Sequence, residues 1–153
     1  MSIKSQSASM KKLASLLSKD LGYIFGPRES GPNGDKSAFH SQGRAFMRAL
    51  GKDLCLIAPR VHVNKAGIAV SGEVCLQGMW DDHHGLYLWL EQDLRGKRCM
   101  TYRSITVHPE LGEQYMHGPN HAISLEQMRC GDYLDLLDEL AAMRRSPDVR
   151  KIA

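Results

Sequence analysis

The densest group of residues able to ligate a metal is Asp81-Asp82-His83-His84, and His117 and His121 add two imidazoles further on. A divalent metal needs about three such ligands converging on one point. Gathered around an ion, these six would make a metal-assisted hydrolase. The spacing argues the other way. Consecutive side chains on a tight turn diverge, and Gly118-Pro119 lies between His117 and His121, so their four-residue interval does not put them on one helix face. A solvated polar corner is the simpler expectation for Asp81–His84.

Covalent chemistry finds less support. A nucleophile needs a base and an orienting carboxylate beside it, and no GxSxG elbow occurs. Cys55, Cys75, Cys99 and Cys130 form no CxxC pair. Zinc ligands usually come in such pairs. Cys55 and Cys75 sit in apolar stretches, where a thiol acts as a small hydrophobe. Arg103 and His108 could hold an anion, although a strand arginine more commonly pairs with a carboxylate such as Glu73 or Glu91. No cofactor motif is present, and none is expected.

Binding residues are easier to find. Arg44, Arg48 and Lys52 recur at four-residue intervals, and Lys11 and Lys12 precede them. Such a row suits phosphate contacts; it is also how an ordinary exposed helix face reads. Tyr87 and Trp89 alternate with leucines. With Met100 and Tyr102 from the next strand they would form an aromatic platform on the face away from those leucines. Platforms of this kind stack nucleic-acid bases, but Lys and Arg are sparse around this one, so coverage by a helix or a protein partner is the stronger expectation.

These residues must be carried by regular elements. Ser9 can cap a helix from Met10 to about Tyr23, with Leu13, Leu16, Leu17, Leu21 and Ile24 on one side. Gly26–Lys36 reads as a loop. Ser37 can cap a second helix over Ala38–Leu50, which Gly51 ends. Pro59 breaks the short apolar run from Cys55 to Ala58. Four strands follow, at Val61–Asn64, Ile68–Gln77, Leu86–Glu91 and Cys99–Val107, the first two joined by a tight turn at Asn64–Gly67. Mid-strand Gly72 suggests a bulge or a close approach. His108–Ile123, with two glycines and two prolines, reads as a long loop. Ser124-Leu125-Glu126-Gln127 is a capping box that opens a last helix to about Arg145, broken near Cys130-Gly131-Asp132. The result is an α+β fold. A four-stranded antiparallel sheet has two N-terminal helices and a C-terminal helix mainly on one face, as one domain over 1–153, with 1–8 and 147–153 flexible.

Composition bounds the setting. The chain has 153 residues, 42% hydrophobic and 24% charged, which is ordinary globular usage. Eight methionines are expected to fill core gaps. The net charge of +3 is uneven: residues 1–60 hold ten Lys/Arg against four Asp/Glu, and residues 61–153 hold ten against thirteen. A basic front half can face phosphate or an acidic protein. The polar, Ser-rich Met1–Met10 predicts no secretory leader, and no apolar run reaches membrane-span length. The expected setting is the cytoplasm, with reduced thiols and no membrane contact.

Three segments together resemble small accessory proteins of plasmids and phages, a class that includes anti-CRISPR and antirestriction proteins. They are Gly85-Leu86-Tyr87-Leu88, Met100-Thr101-Tyr102-Arg103-Ser104 and Gly118-Pro119-Asn120-His121. The resemblance implies a small protein that acts by binding and not by catalysis. Without an extended acidic surface, mimicry of DNA charge is disfavoured. The expected function is therefore that of a non-enzymatic mobile-element protein that binds a host or element macromolecule and inhibits a host defence. A protein partner comes first and a nucleic acid second. Its binding residues would be Lys11, Lys12, Arg44, Arg48, Lys52, Tyr87, Trp89 and Arg103, and its oligomeric state is open. The alternatives are a nucleic-acid binder using the basic front half, or a metal-dependent hydrolase.

Overall fold

The structure is a computed structural model and describes residues 3–18, 35–63, 74–91, 98–108 and 113–145. Alternation of apolar and polar residues dictates its centre. In β2 (Val74–Met79), β3 (His84–Leu90) and β4 (Arg98–His108), every second side chain turns to the same face. Val74, Leu76, Leu86, Leu88, Leu90, Met100 and Tyr102 are buried on it. β1 (Ile57–Val63) and β5 (Glu113–Ser124) complete a five-stranded antiparallel sheet in the order β1-β2-β3-β4-β5.

The helices close over that face. α1 (Ile3–Leu17) brings Met10, Leu13 and Leu17, and α2 (Asp35–Asp53) brings Phe39, Phe46, Met47 and Leu50. α2 lies close to the sheet because its inward face carries glycines. A Cβ on Gly43 would stand 3.0 Å from Val74 Cγ2, and one on Gly51 3.1 Å from Leu76 Cδ1. α3 (Leu125–Cys130) and α4 (Tyr133–Arg145) follow the sheet. Polar contacts fasten α4 to both N-terminal helices. Buried Tyr133 donates to Asp53 Oδ2 at 2.6 Å, and its backbone N–H donates to Ser7 Oγ at 3.2 Å. Ser7 Oγ in turn donates to Asp132 Oδ1 at 3.2 Å. Burial and the bond to Asp53 hold the Tyr133 phenol well above its ordinary range.

The α+β class and the antiparallel sheet agree with the sequence reading, and the ladder and the helices are more extensive. The described residues form five strands and four helices, where four strands and three helices are expected. α1 starts seven residues early, so Ser9 is no cap; it sits inside the helix and accepts from Gln42 Nε2 at 3.2 Å. Residues 3–8 are helical because Gln6 is fully buried and donates to the Phe46 carbonyl at 3.5 Å. Ser37 and Gly51 likewise lie inside α2. The expected loop at 108–123 is mostly β5. Pro119 is tolerated because β5 is an edge strand whose pairing shifts register between Tyr102 and Ser104. Edge position also explains Pro59 within β1, beside a second register shift between Ile57 and Arg60. The capping box at Ser124 and Gln127 forms as expected, and the chain breaks at Gly131 before α4. Of the N-terminal stretch expected to be flexible, residues 3–8 are the first turns of α1. The expected end of the first helix beyond Ser18, most of the Gly26–Lys36 loop, the Asn64–Gly67 turn, Gly72, residues 1–2 and residues 147–153 lie outside the described residues.

α2 ends in an unusual way. The Leu56 N–H donates to the Gly51 carbonyl at 3.1 Å and the Cys55 N–H to the Lys52 carbonyl at 3.0 Å. Together they form a Schellman motif with Cys55 at the left-handed position, φ 58°. Glycine is the usual occupant there, since a Cβ costs about 1–2 kcal/mol in that region. Cys55 is exposed, so no packing offsets the strain. Cys55→Gly is expected to raise stability by about 0.5–1 kcal/mol after the greater flexibility of unfolded glycine is counted. Cys55→Val is expected to lower it. Urea denaturation of the two variants reads both signs.

Candidate functional site

All the helix contacts described above fall on the leucine face. On the opposite face, where Thr101 and Ile105 are buried, runs the cross-strand row Met79–Gly85–Ile105. Two further rows hold the candidate residues. In the first, Arg60 pairs with Gln77, Gln77 with Tyr87, and Tyr87 with Arg103. In the second, His62 pairs with Cys75, Cys75 with Trp89, and Trp89 with Thr101. Arg60 and His62 are exposed, while Cys75, Gln77, Tyr87, Trp89 and Arg103 are half-buried. Arg60 and Arg103 stand three strands apart, roughly 14 Å at the usual strand spacing.

The two aromatic rings at the middle of these rows are held in place. Their centroids are 5.3 Å apart and their planes tilt by 49°. The Tyr87 hydroxyl donates to Cys75 Sγ at 3.4 Å, and Trp89 Nε1 donates to Glu91 Oε2 at 2.9 Å. Thr101 Oγ1 donates to the other oxygen of Glu91 at 3.4 Å. Both polar tips are thus satisfied within the sheet, and what the two residues present is ring surface on a rigid strand. No family model, curated protein or solved structure matches this chain. The site's own chemistry therefore carries the functional argument.

The expected platform changes membership. Met100 and Tyr102 pair with Leu90 and Leu88, so they lie on the helix-covered face, and Thr101 and Arg103 take their places beside the rings. A register offset of one residue moves every side chain of a strand to the other face, and the sequence contains nothing that sets the β3–β4 register. Glu91, expected as an arginine partner, is engaged instead by Trp89 and Thr101. Glu73 lies outside the described residues, as does the side chain of His108.

The basic residues sit in the helical layer and not on this face. Lys11, Lys12, Arg48 and Lys52 are exposed, and Arg44 is half-buried. They do not form one patch. Lys12 borders a groove between α1 and α2 with Ser41, Gln42 and Ala45, whereas Lys11 lies toward Glu126 and Cys130 of α3. The structure thus divides the eight expected binding residues between two separate surfaces.

The Asp81–His84 corner is a turn. The backbone N–H groups of His83 and His84 donate to Asp81 Oδ1 at 2.7 and 2.8 Å, closing the β2–β3 hairpin. Those two bonds hold the Asp81 carboxyl below its ordinary value. Asp82 and His83 point into solvent. His121 lies on β5, stacked on Tyr102 with ring centroids 5.0 Å apart. The backbone of His117 pairs with Ser104, and its side chain lies outside the described residues. Among the described residues no three His, Cys, Asp or Glu side chains come close enough to hold a metal. Of the thiols, Cys99 is buried and pushed up to about 12 by desolvation, and Cys55 and Cys130 are exposed.

A carboxyl whose folded pKa lies below its unfolded value stabilises the fold above the unfolded pKa and loses that contribution as pH falls through the folded one. Asp81→Asn keeps an acceptor oxygen for the turn and removes the charge. The melting temperature of the wild type is expected to exceed that of Asp81→Asn at neutral pH. The gap should begin to close as pH falls past the ordinary carboxyl value of 3.8 and vanish below the depressed one. Thermal melts of both proteins from pH 7 to pH 2 read this, and a gap that does not change with pH would contradict it.

Proposed function

We propose that this chain is a non-enzymatic binding protein that holds a macromolecular partner, in first place a protein, against the Tyr87–Trp89 face of its sheet, opposite the helices. One observation carries the reading. Tyr87 and Trp89 sit at the centre of the face with their polar tips tied down and arginines at both ends of the row. Tyr, Trp and Arg dominate the energetics of protein interfaces, above all when central and rigid. Strands fix such anchors at little entropic cost on binding. The setting we propose is the one the resemblance implies, an accessory protein of a plasmid or phage acting on a host defence system. A metal-dependent hydrolase has no comparable support, because the Asp81 carboxylate is committed to its turn.

A nucleic acid is the second reading, favoured by the arginines that flank the rings and by the exposed pair Arg48 and Lys52 on α2. Salt separates the two. Phosphate contacts release counterions, so binding to nucleic acid falls steeply with ionic strength.

The test is affinity capture from a bacterial lysate, with and without nuclease, by three proteins. These are the wild type, Tyr87→Ala/Trp89→Ala, and Arg48→Ala/Lys52→Ala. The first double variant is expected to lose about 100-fold in affinity for the captured protein, roughly 2–3 kcal/mol for two central anchors. The second double variant is expected to match the wild type. Melting curves confirm that each is folded. Equal capture by wild type and Tyr87→Ala/Trp89→Ala would overturn the reading. Nuclease-sensitive capture that requires Arg48 and Lys52 would put the nucleic acid first.

A further inference from the structure

The face beneath the helices changes character along its length. Two rows of it, Val74–Leu90–Met100 and Leu76–Leu88–Tyr102, are buried and lined almost wholly by apolar groups. At the hairpin end the pattern breaks. The Trp80 N–H donates to the His84 carbonyl at 2.7 Å, and His84 pairs with Thr106, so Trp80, His84 and Thr106 form one cross-strand row. Ser104 lies on the same face one row further in, opposite Leu86.

Three polar atoms here are buried without a hydrogen-bond partner among the described residues: Trp80 Nε1, Ser104 Oγ and Thr106 Oγ1. Trp80 and Ser104 retain only 4% and 1% of their exposure. A buried polar group with no partner carries its desolvation cost uncompensated, and a side chain such as Val or Ala would fill the same space without it. Native proteins carry few such groups, and each calls for a reason. Three on adjacent positions of one face call for a common one.

The chemistry of the three narrows that reason. An indole N–H only donates, so whatever meets Trp80 must be an acceptor. The hydroxyls of Ser104 and Thr106 can rotate to donate as well. A positive charge stands alongside: the Arg144 guanidinium, in the last turn of α4, lies 6.0 Å from the centre of the Trp80 ring. The carboxylates bordering the row are engaged elsewhere. Asp81 accepts from the His83 and His84 backbone, and Glu139 accepts from the Tyr102 hydroxyl at 3.1 Å. Half-buried His84, with Nδ1 3.8 Å from Asp81 Oδ1, shares the row of Trp80 and Thr106, and on β5 the titratable residues His117 and Tyr115 stand at the register positions opposite Ser104 and Thr106.

We propose that Trp80, Ser104 and Thr106, on neighbouring rows under the end of α4, form a binding site for a small oxyanion, a phosphate or carboxylate group, with Arg144 as its counter-charge. The three neutral donors take the oxygens and the guanidinium supplies the charge, as in other sites that hold oxyanions by converging donors. The site lies on the opposite face of the sheet from Tyr87 and Trp89, so it stands or falls independently of the partner proposed for that face.

The test follows the indole N–H resonance of Trp80 by NMR, assigned by comparison with Trp89→Phe, during titration with inorganic phosphate and, separately, with acetate. A saturable shift of the Trp80 resonance is expected with at least one, and which of them acts identifies the phosphate or the carboxylate as the group held. Ser104→Ala/Thr106→Val and Arg144→Gln are each expected to weaken that binding by about tenfold or more. The double variant also separates a ligand site from a structural one. It removes hydroxyls that have no partner in the fold, so its melting temperature is expected to equal or exceed that of the wild type. A Trp80 resonance unmoved by both anions would overturn the proposal. So would unchanged binding in both variants, or a double variant that melts lower than the wild type.

Discussion

The whole structure depends on the burial of one face of an antiparallel sheet. Val74, Leu76, Leu86, Leu88 and Leu90 have no solvent exposure, and Phe39, Phe46, Met47 and Leu50 meet them from α2. Each such side chain contributes about 1.5–3 kcal/mol relative to an exposed one. That gain requires α2 to lie close, which Gly43 and Gly51 permit by carrying no side chain at the points of contact. The described helices are committed to this face, and on the other the sheet's own side chains meet. There the rings of Tyr87 and Trp89 lean together and the polar tips find Cys75 and Glu91. The burial that makes the fold stable thus also turns Tyr87 and Trp89 to the face opposite the helices.

The second helical layer is joined by polar contacts as well as by packing. Tyr133 touches Phe46 edge-on at 6.0 Å, donates its hydroxyl to Asp53 and donates its backbone N–H to the Ser7 hydroxyl oxygen. A single residue at the start of α4 therefore contacts both α1 and α2. This seat carries α4 across the sheet to Tyr102 and Trp80, where Glu139 and Arg144 reach the polar end of the covered face.

What could be read from sequence followed from periodicity. The alternation in β2 and β3 and the capping box at Ser124 are local signals, and the structure follows them. What could not be read was set by distant contacts. The first turns of α1 carry no apolar periodicity; they are helical because Gln6 reaches the Phe46 carbonyl across the core. β5 has no alternation to reveal it, because an edge strand with a bulge admits Gly118 and Pro119. The candidate site was half legible. Tyr87, Trp89 and Arg103 were visible as residue types, yet their neighbours depended on a strand register that turns and loops decide. Trp80, Ser104 and Thr106 gave no signal, since an unpartnered buried hydroxyl is a property of the fold and not of any sequence pattern.

The central claim is that this protein meets its partner on the Tyr87–Trp89 face of the sheet and not on its basic helices. Site-specific photocrosslinking in living bacterial cells tests it most directly, with a photoreactive amino acid placed at position 60, beside the rings, or at position 48, on α2. The account predicts a discrete crosslinked adduct from position 60 and none from position 48. An adduct from position 48 alone would contradict it.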